Sequence, residues 1–396
     1  MTVLFYEPSH TGHHYPYLAR MLPAFVELPA KLTLLTTEKG RTSDEFEHYL
    51  SPFVDDLTVM TSCQEIPPHI KPVANAKFRA LEAMRLTKAL NPDHLMILYG
   101  DGIWQCLAAR AMTFRKTFAP SVTVEGILYR GGFSYPDANS IQNGIKRQMF
   151  KRLLKAGVFD RLLLDDEYLY DYALAVQPTK PRTQVTLAAN PVFLKPMQSQ
   201  SSARSEIGLP TDGRIISLSG AIDARKGADL LVRAFIKAKQ EGRVDAKLLL
   251  AGPHADEIRA LLKSAEVSPY VDTGEVISMD RLLVGDEMFF VAAASDVVTA
   301  PYPNHSGRSS IILWAAAAGR PVVATDRGCI ARVVQVEELG VTCRVTDTAL
   351  FAASLADTLA KPWTEEDIKR SRAYAGYHDI ENYQRINSML LRKQLK

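Results

Sequence analysis

The chain has 396 residues, 47% of them hydrophobic and 23% charged, and a net charge of +3 from 47 basic and 44 acidic residues. That length suits roughly two or three domains with their own cores, and the apolar fraction excludes disordered and collagen-like chains. The near-balanced charge argues against a nucleic-acid binder, so no nucleic-acid partner is expected. The longest apolar run, Ile311 to Ala318, has eight residues, far short of the ~20 needed to span a bilayer.

The opening residues, MTVLFYEPSHTGHH, carry no basic n-region and no cleavage site, so no secretory leader is expected. Cys63, Cys106, Cys329 and Cys343 are far apart with no CxxC spacing. This pattern fits a reduced, cytoplasmic protein without structural zinc.

Val3 to Tyr6 reads as a strand, followed by a loop from Glu7 to His14 and a helix from about Tyr15 to Phe25. Further strands are predicted at Leu32 to Leu35, Leu95 to Tyr99, Val122 to Leu128 and Leu162 to Leu164. Continuous apolar runs of this kind suit parallel strands buried on both faces. The stretch from Lys195 to Ser205 is polar and rich in Ser and Gln, which predicts a linker or surface loop. A second series follows at Ile215 to Leu218, Lys247 to Leu250, Val297 to Thr299 and Val322 to Ala324. The tail from Trp363 is helical in character and too polar for another strand. The expected fold is α/β, with two doubly wound Rossmann-like domains and a ligand cleft at the strands' carboxyl ends. The domains are drawn at 1–195 and 205–372, with a helix near 375–396 packing back on the first.

Three loops are candidates for chemistry. Pro8 to His14 holds three histidines, and Gly12 permits a tight turn before a helix. The histidines suit acid–base or hydrogen-bonding work, while helix capping or a metal held by His10 and His14 are the competing readings. Ser219 to Gly227 places Arg225 and Lys226 in a glycine turn after a strand, suited to a diphosphate, although solvated basic pairs also occur on loops. Pro301 to Ser310 precedes the apolar helix. There Gly307 allows close approach, Arg308 adds charge, and Ser309 or Ser310 can cap. An ordinary capped helix is the alternative.

Other features are weaker. Asp101 in Tyr99-Gly100-Asp101-Gly102 ends a strand, as a sugar contact, a base or a cap. Asp165-Asp166-Glu167 imitates a metal cluster but reads better as a helix start. The segment 145–158 carries five basic residues and no acid, with Ile145, Met149, Leu153 and Leu154 on one face. It reads chiefly as a sheet-packing helix, with weak peripheral membrane contact as the second possibility. No GxxxxGK, GxGxxG or GxSxG motif occurs, which removes ATPase, dehydrogenase and serine-hydrolase readings.

Taken together, these residues resemble the GT-B glycosyltransferases, and within them glycosyltransferase family 4. Gly220 to Asp229 (GAIDARKGAD) is similar to that family's first carboxy-terminal loop, and Leu249 to Gly252 to the next strand and its glycine turn. Ser295 to Tyr302 resembles the strand entering the donor loop, and Ala315 to Ala324 the helix end and strand after it. Gly12 matches the glycine loop beside the acceptor, and Asn190-Pro191-Val192 the domain crossover.

The resemblance implies sugar transfer from a nucleotide diphosphate donor, UDP- or GDP-linked, to an unknown acceptor hydroxyl, with retention and without metal or cofactor. It places Lys226 on the donor diphosphate; the three candidate loops add Gly12, Arg225, Ser306, Gly307, Arg308, Ser309 and Ser310 to the donor site, with His13, and Asp101 second to it, as the candidate catalytic groups. Two features depart from the family. Its paired donor-site glutamates correspond to Ser306 and Trp314, and the Arg after the first-loop glycine is Ala221. Each missing charged hydrogen bond is typically worth ~1.5–3 kcal/mol. A non-catalytic GT-B binding or scaffolding protein is therefore the rival reading, and a sugar-nucleotide epimerase a third.

Overall fold

The computed structural model describes residues 1–395 apart from 13, 68, 114–116 and 306. The chain divides into two units, Met1–Pro191 with Ile380–Lys396, and Val192–Asp379.

The first unit holds seven strands: β1 (Thr2–Tyr6), β2 (Lys31–Leu35), β3 (Leu57–Met60), β4 (His94–Ile97), β5 (Thr123–Leu128), β6 (Arg161–Leu164) and β7 (Gln184–Leu187). They form one sheet in the order β3-β2-β1-β4-β5-β6-β7. Every pairing is parallel, with Thr2 opposite Lys31 and Val3 opposite His94 on either side of β1. Alternate residues of each strand feed two separate cores: Leu4, Tyr6, Leu162 and Leu164 on one face, Val3, Phe5 and Leu163 on the other. Burial on both faces is why these strands read as unbroken apolar runs.

The second unit holds β8 (Ile215–Ser219), β9 (Lys247–Ala251), β10 (Val276–Met279), β11 (Val297–Ala300), β12 (Val322–Thr325) and β13 (Gly340–Cys343). Their order is β10-β9-β8-β11-β12-β13, again with parallel pairings. Two parallel Rossmann-like sheets are the predicted fold class. In each sheet the strand order reverses at one place, between β1 and β4 and between β8 and β11. Loops leaving the carboxyl ends there diverge and open a crevice.

The Ser/Gln-rich stretch differs from its prediction. Gln200–Glu206 is helical, with the Ser199 hydroxyl accepting the Ser202 N–H at 3.1 Å. Arg204 is buried, and its guanidinium donates to the carbonyls of Ala294, Thr211 and Gly213 at 3.0, 3.1 and 2.8 Å. Composition suggested solvent, but one arginine with a set of carbonyl acceptors docks the segment onto its unit. Helix Ile141–Ala156 buries Phe150, Leu153 and Leu154, as a sheet-packing helix should, whereas Ile145 is exposed instead of sharing their face. No helix among the described residues is long and apolar enough to cross a membrane.

At the amino ends of β4, β5 and β6 a wholly buried charged cluster ties the last helix to the sheet. Glu125 Oε2 accepts Arg161 Nε at 2.6 Å, and Oε1 lies 3.0 Å from His94 Nε2. The same guanidinium donates to the Ile386 and Asn387 carbonyls at 2.7 and 3.1 Å, and His94 Nδ1 meets Gln394 Oε1 at 3.0 Å. Helix Ile380–Gln394 thus belongs to the first unit although it follows the second in sequence. Arg161→Ala leaves a carboxylate buried without its partner and is expected to cost about 3–5 kcal/mol in urea unfolding of the full chain. The double change Glu125→Leu with Arg161→Met should recover much of that loss, because no buried charge is then stranded.

Candidate functional site

Both groups of candidate residues fall at the strand-order reversals. In the second unit, the loop after β8 turns through Gly220 and Gly227, with φ of +86° and +76°. A Cβ at Gly220 would lie 2.4 Å from Lys226 Nζ, and one at Gly227 would lie 2.4 Å from the Pro301 carbonyl oxygen. Glycine is therefore favoured at both positions by backbone angle, and at 227 also by the closeness of the loop after β11. Asp223 caps the short turn by accepting the Lys226 N–H at 2.8 Å, and Arg225 points outward beside it, 3.2 Å from the Asp223 carboxylate.

Lys226 is only 8% exposed, and its ammonium donates to the Ser219 carbonyl at 2.9 Å. Burial, reinforced by the positive charge of Arg225, lowers its pKa to about 8. Such a cation is poorly hydrated and favours the arrival of a compact anion.

The loop after β11 packs alongside. Tyr302 is buried and accepts a hydrogen bond from the Ser309 hydroxyl at 2.9 Å, and His305 Nε2 lies 3.1 Å from the Arg308 carbonyl. Ser309 occupies the N-cap position of helix Ser310–Ala317 but makes no side-chain capping bond. The capping predicted for Ser309 is absent because its hydroxyl is committed to Tyr302. Gly227 thus meets Pro301 and Pro303, and the charge of Arg225 acts on Tyr302, in the segment that leads through Gly307, Arg308 and Ser309 to Ser310, where the helix's first N–H groups can meet an anion. Ser306 lies outside the described residues. Trp314, at the other glutamate-equivalent position, packs partly buried against the core of the unit.

In the first unit, β1 leads into the turn at Gly12, whose φ of +73° needs glycine. His13 lies outside the described residues. Asp101 follows β4 and accepts two backbone N–H groups from the loop after β5, Tyr129 at 2.9 Å and Arg130 at 3.0 Å. Asp166 holds the next part of that loop, accepting the Gly131 N–H at 3.2 Å and the Tyr135 hydroxyl at 2.6 Å. It also caps helix Glu167–Val176 through the Leu169 N–H at 2.9 Å, so the acidic triplet begins a helix, as expected. Tyr99 stacks on Tyr129 with centroids 5.6 Å apart. Sequence reasoning missed Glu7 and His14 as a pair. Nδ1 of His14 lies 2.9 Å from Glu7 Oε2, and no spacing rule marks a contact across a turn.

Residues 213–361 match the family model described as glycosyl transferases group 1. The D-inositol 3-phosphate glycosyltransferase of Salinispora arenicola is 26% identical over 166 residues, covering 41% of this chain and 37% of that protein. The protein of the same name from Xylanimonas cellulosilytica is 30% identical over 193 residues, covering 46% and 43%. The matched region thus spans about two fifths of the length of these curated relatives. Among solved structures, Anabaena HepE in complex with UDP superposes with a TM-score of 0.67 at 14% identity, covering 99% of this chain and 100% of that one. Sucrose-phosphate synthase from Thermosynechococcus elongatus does so with 0.66 at 16% identity, covering 100% and 99%. The fold is therefore the two-sheet GT-B fold. Within it, the second unit carries a glycosyl transferase group 1 domain.

Burial raises the Asp101 pKa to about 6 from the ordinary carboxylate value of 3.8, against the lowering effect of its two backbone donors. With the folded value above the unfolded one, the stabilising contribution is complete below about pH 4 and is lost as pH rises through 6. Thermal unfolding of wild type and Asp101→Asn from pH 4 to 7 should show wild type losing about 2–3 kcal/mol more than the variant, whose side chain does not titrate.

Proposed function

We propose that the protein transfers a sugar from a nucleotide diphosphate sugar to an acceptor hydroxyl, in the cytoplasm, without metal or cofactor. The observation that carries this reading is the buried ammonium of Lys226 on the loop after β8, a loop that packs at Gly227 against Pro301 of the segment leading to the uncapped start of helix Ser310–Ala317. A dianionic leaving group gains charge as the glycosidic bond breaks, and preorganised donors of this kind stabilise that charge. Arg225 and Arg308 add positive charge, and Ser306, Ser309 and Ser310 supply hydroxyls in place of the family's glutamates. A UDP-linked donor is favoured by the UDP and UDP-glucose complexes of HepE. Retention follows from the family resemblance, the leaving phosphate taking the acceptor proton on the same face. His13 and Asp101 serve the acceptor side. In that role Asp101 acts through the Tyr129–Arg130 backbone it holds.

Trp314 supports a second reading, a GT-B protein that binds a nucleotide sugar or a pathway partner without catalysis. An indole packed on the core cannot make the charged hydrogen bond of a glutamate. Peripheral contact with an anionic membrane is a further part of the proposal. Ile141 and Ile145 are 86% and 56% exposed on the helix that also exposes Lys151, Arg152 and Lys155.

Thermal-shift measurements with UDP, GDP, ADP, CMP and dTDP sugars should show stabilisation by one of them. Stabilisation by none, together with no sugar-nucleotide hydrolysis, defeats the enzyme reading; stabilisation without turnover selects the binding reading. Lys226→Ala should weaken nucleotide diphosphate affinity by roughly 10–150-fold in titration calorimetry, the range for one charged hydrogen bond. Wild-type affinity should fall as pH rises past about 8, where the ammonium is lost.

A further inference from the structure

A cleft of about 190 Å³ opens at the amino edge of the second sheet. Pro321, the residue before β12, and Gly340, the first of β13, line it from the sheet side. The cleft therefore lies at the opposite end of the strands from Lys226 and Ser309. From the other side it is lined by Asp357 and Thr358, in the last turn of helix Thr348–Ala360, and by Lys361 and Trp363, which lead to helix Glu365–Tyr377. Two polar atoms of these residues, Thr358 Oγ1 and the indole Nε1 of Trp363, are closed to solvent and have no hydrogen-bond partner. Leaving such groups unpaired is unfavourable for the empty fold, and a site with two of them on one cleft calls for a function.

The neighbouring polar groups are already engaged. Ser354 Oγ donates to the Leu350 carbonyl at 2.9 Å, and the Asp357 carboxylate faces Arg243 Nη2 at 3.4 Å. The exposed Lys361 ammonium, by contrast, meets no carboxylate among the described residues. The unmet groups are donors: an indole N–H and an ammonium can only donate, and a hydroxyl donates as readily as it accepts. Pro321, Val341 and the indole supply apolar surface. A cavity of about 150 Å³ holds a benzene ring, so this cleft has room for one ring and a small acidic substituent.

We propose that this cleft is a second ligand site, for a monocyclic aromatic carboxylate whose ring lies on Pro321, Val341 and the indole and whose oxygens accept from Thr358, Trp363 and Lys361. Opening Oγ1 and Nε1 to the ligand needs a turn of the Thr358 side chain and of the indole. The indole is carried on the connection between two helices and is not locked inside either. The site stands apart from the glycosyltransferase reading, and its failure leaves that reading untouched.

Benzoate, benzamide and benzylamine test the site on the full chain by titration calorimetry and tryptophan emission. Benzoate should bind and change the emission. Benzamide should bind roughly tenfold more weakly for want of the charge, and benzylamine should not bind. In Trp363→Phe the emission change should vanish, although Trp104 and Trp314 remain, and benzoate affinity should fall roughly 10–150-fold. Thr358→Val separates a binding role from a structural one. It replaces an orphaned hydroxyl by a methyl of the same shape, so the unliganded variant should unfold roughly 2–4 °C above wild type while losing benzoate affinity. A lower midpoint in Thr358→Val shows that a fixed water or a protein group already pairs the hydroxyl, and overturns the assignment. So does benzoate binding that is absent from wild type, unchanged in both variants, or matched by benzylamine.

Discussion

The structure depends on one constraint: strands that all run in parallel must bring their carboxyl ends to the same edge of the sheet. Each unit then has one place where neighbouring loops part in opposite directions, beside β1 in the first and beside β8 in the second. The candidate site residues collect there. Glu7, Gly12, His14 and Asp101 surround the first reversal, and Arg225, Lys226 and Ser309 the second. The opposite edge of the first sheet is used for assembly. Its buried Arg161–Glu125–His94 cluster captures the carbonyls of the last helix, so that the chain returns to the unit where it began.

The two buried cations show how the same cost serves different ends. Arg161 is fully desolvated but paired with Glu125 and two carbonyls, so its charge is answered within the fold. Lys226 is nearly as buried, yet its ammonium bonds only a neutral carbonyl among the contacts described, and its pKa is lowered accordingly. An incompletely answered buried charge is unfavourable for folding and favourable for receiving an anion. Glycines at 220 and 227 make this geometry possible, since any side chain there would displace Lys226 or the Pro301 backbone. On the first unit, Asp101 and Asp166 answer consecutive N–H groups of one loop, which fixes the course of the chain after β5.

How much was legible depended on burial. The interior strands read directly as apolar runs because both of their faces are covered. The four strands that escaped notice, β3, β7, β10 and β13, are the two edges of each sheet. Edge strands are short and half-exposed, and LTVM, QVTL, VISM and GVTC give little contrast with the loops around them. The Ser/Gln stretch looked like solvent because its docking rests on one arginine and several carbonyls, which have no sequence signature. Ser309 looked like a cap because its position is right, but its partner, Tyr302, is set by the turn between them.

The amino-acid sequence by itself determined the fold class, the order of most strands, and the placement of Gly12, Arg225, Lys226 and Ser309 on loops that follow strands. These follow from local periodicity, glycine turns and charge, which a short window can register. Tertiary structure alone decided that Lys226 is desolvated, that Trp314 packs on a core where a glutamate was expected, and that Glu7 meets His14. It also decided that the last helix closes onto the first sheet through Arg161. Each of these is a pairing across loops or across the length of the chain, and such pairings exist only once the parallel sheets have brought distant residues to a common edge.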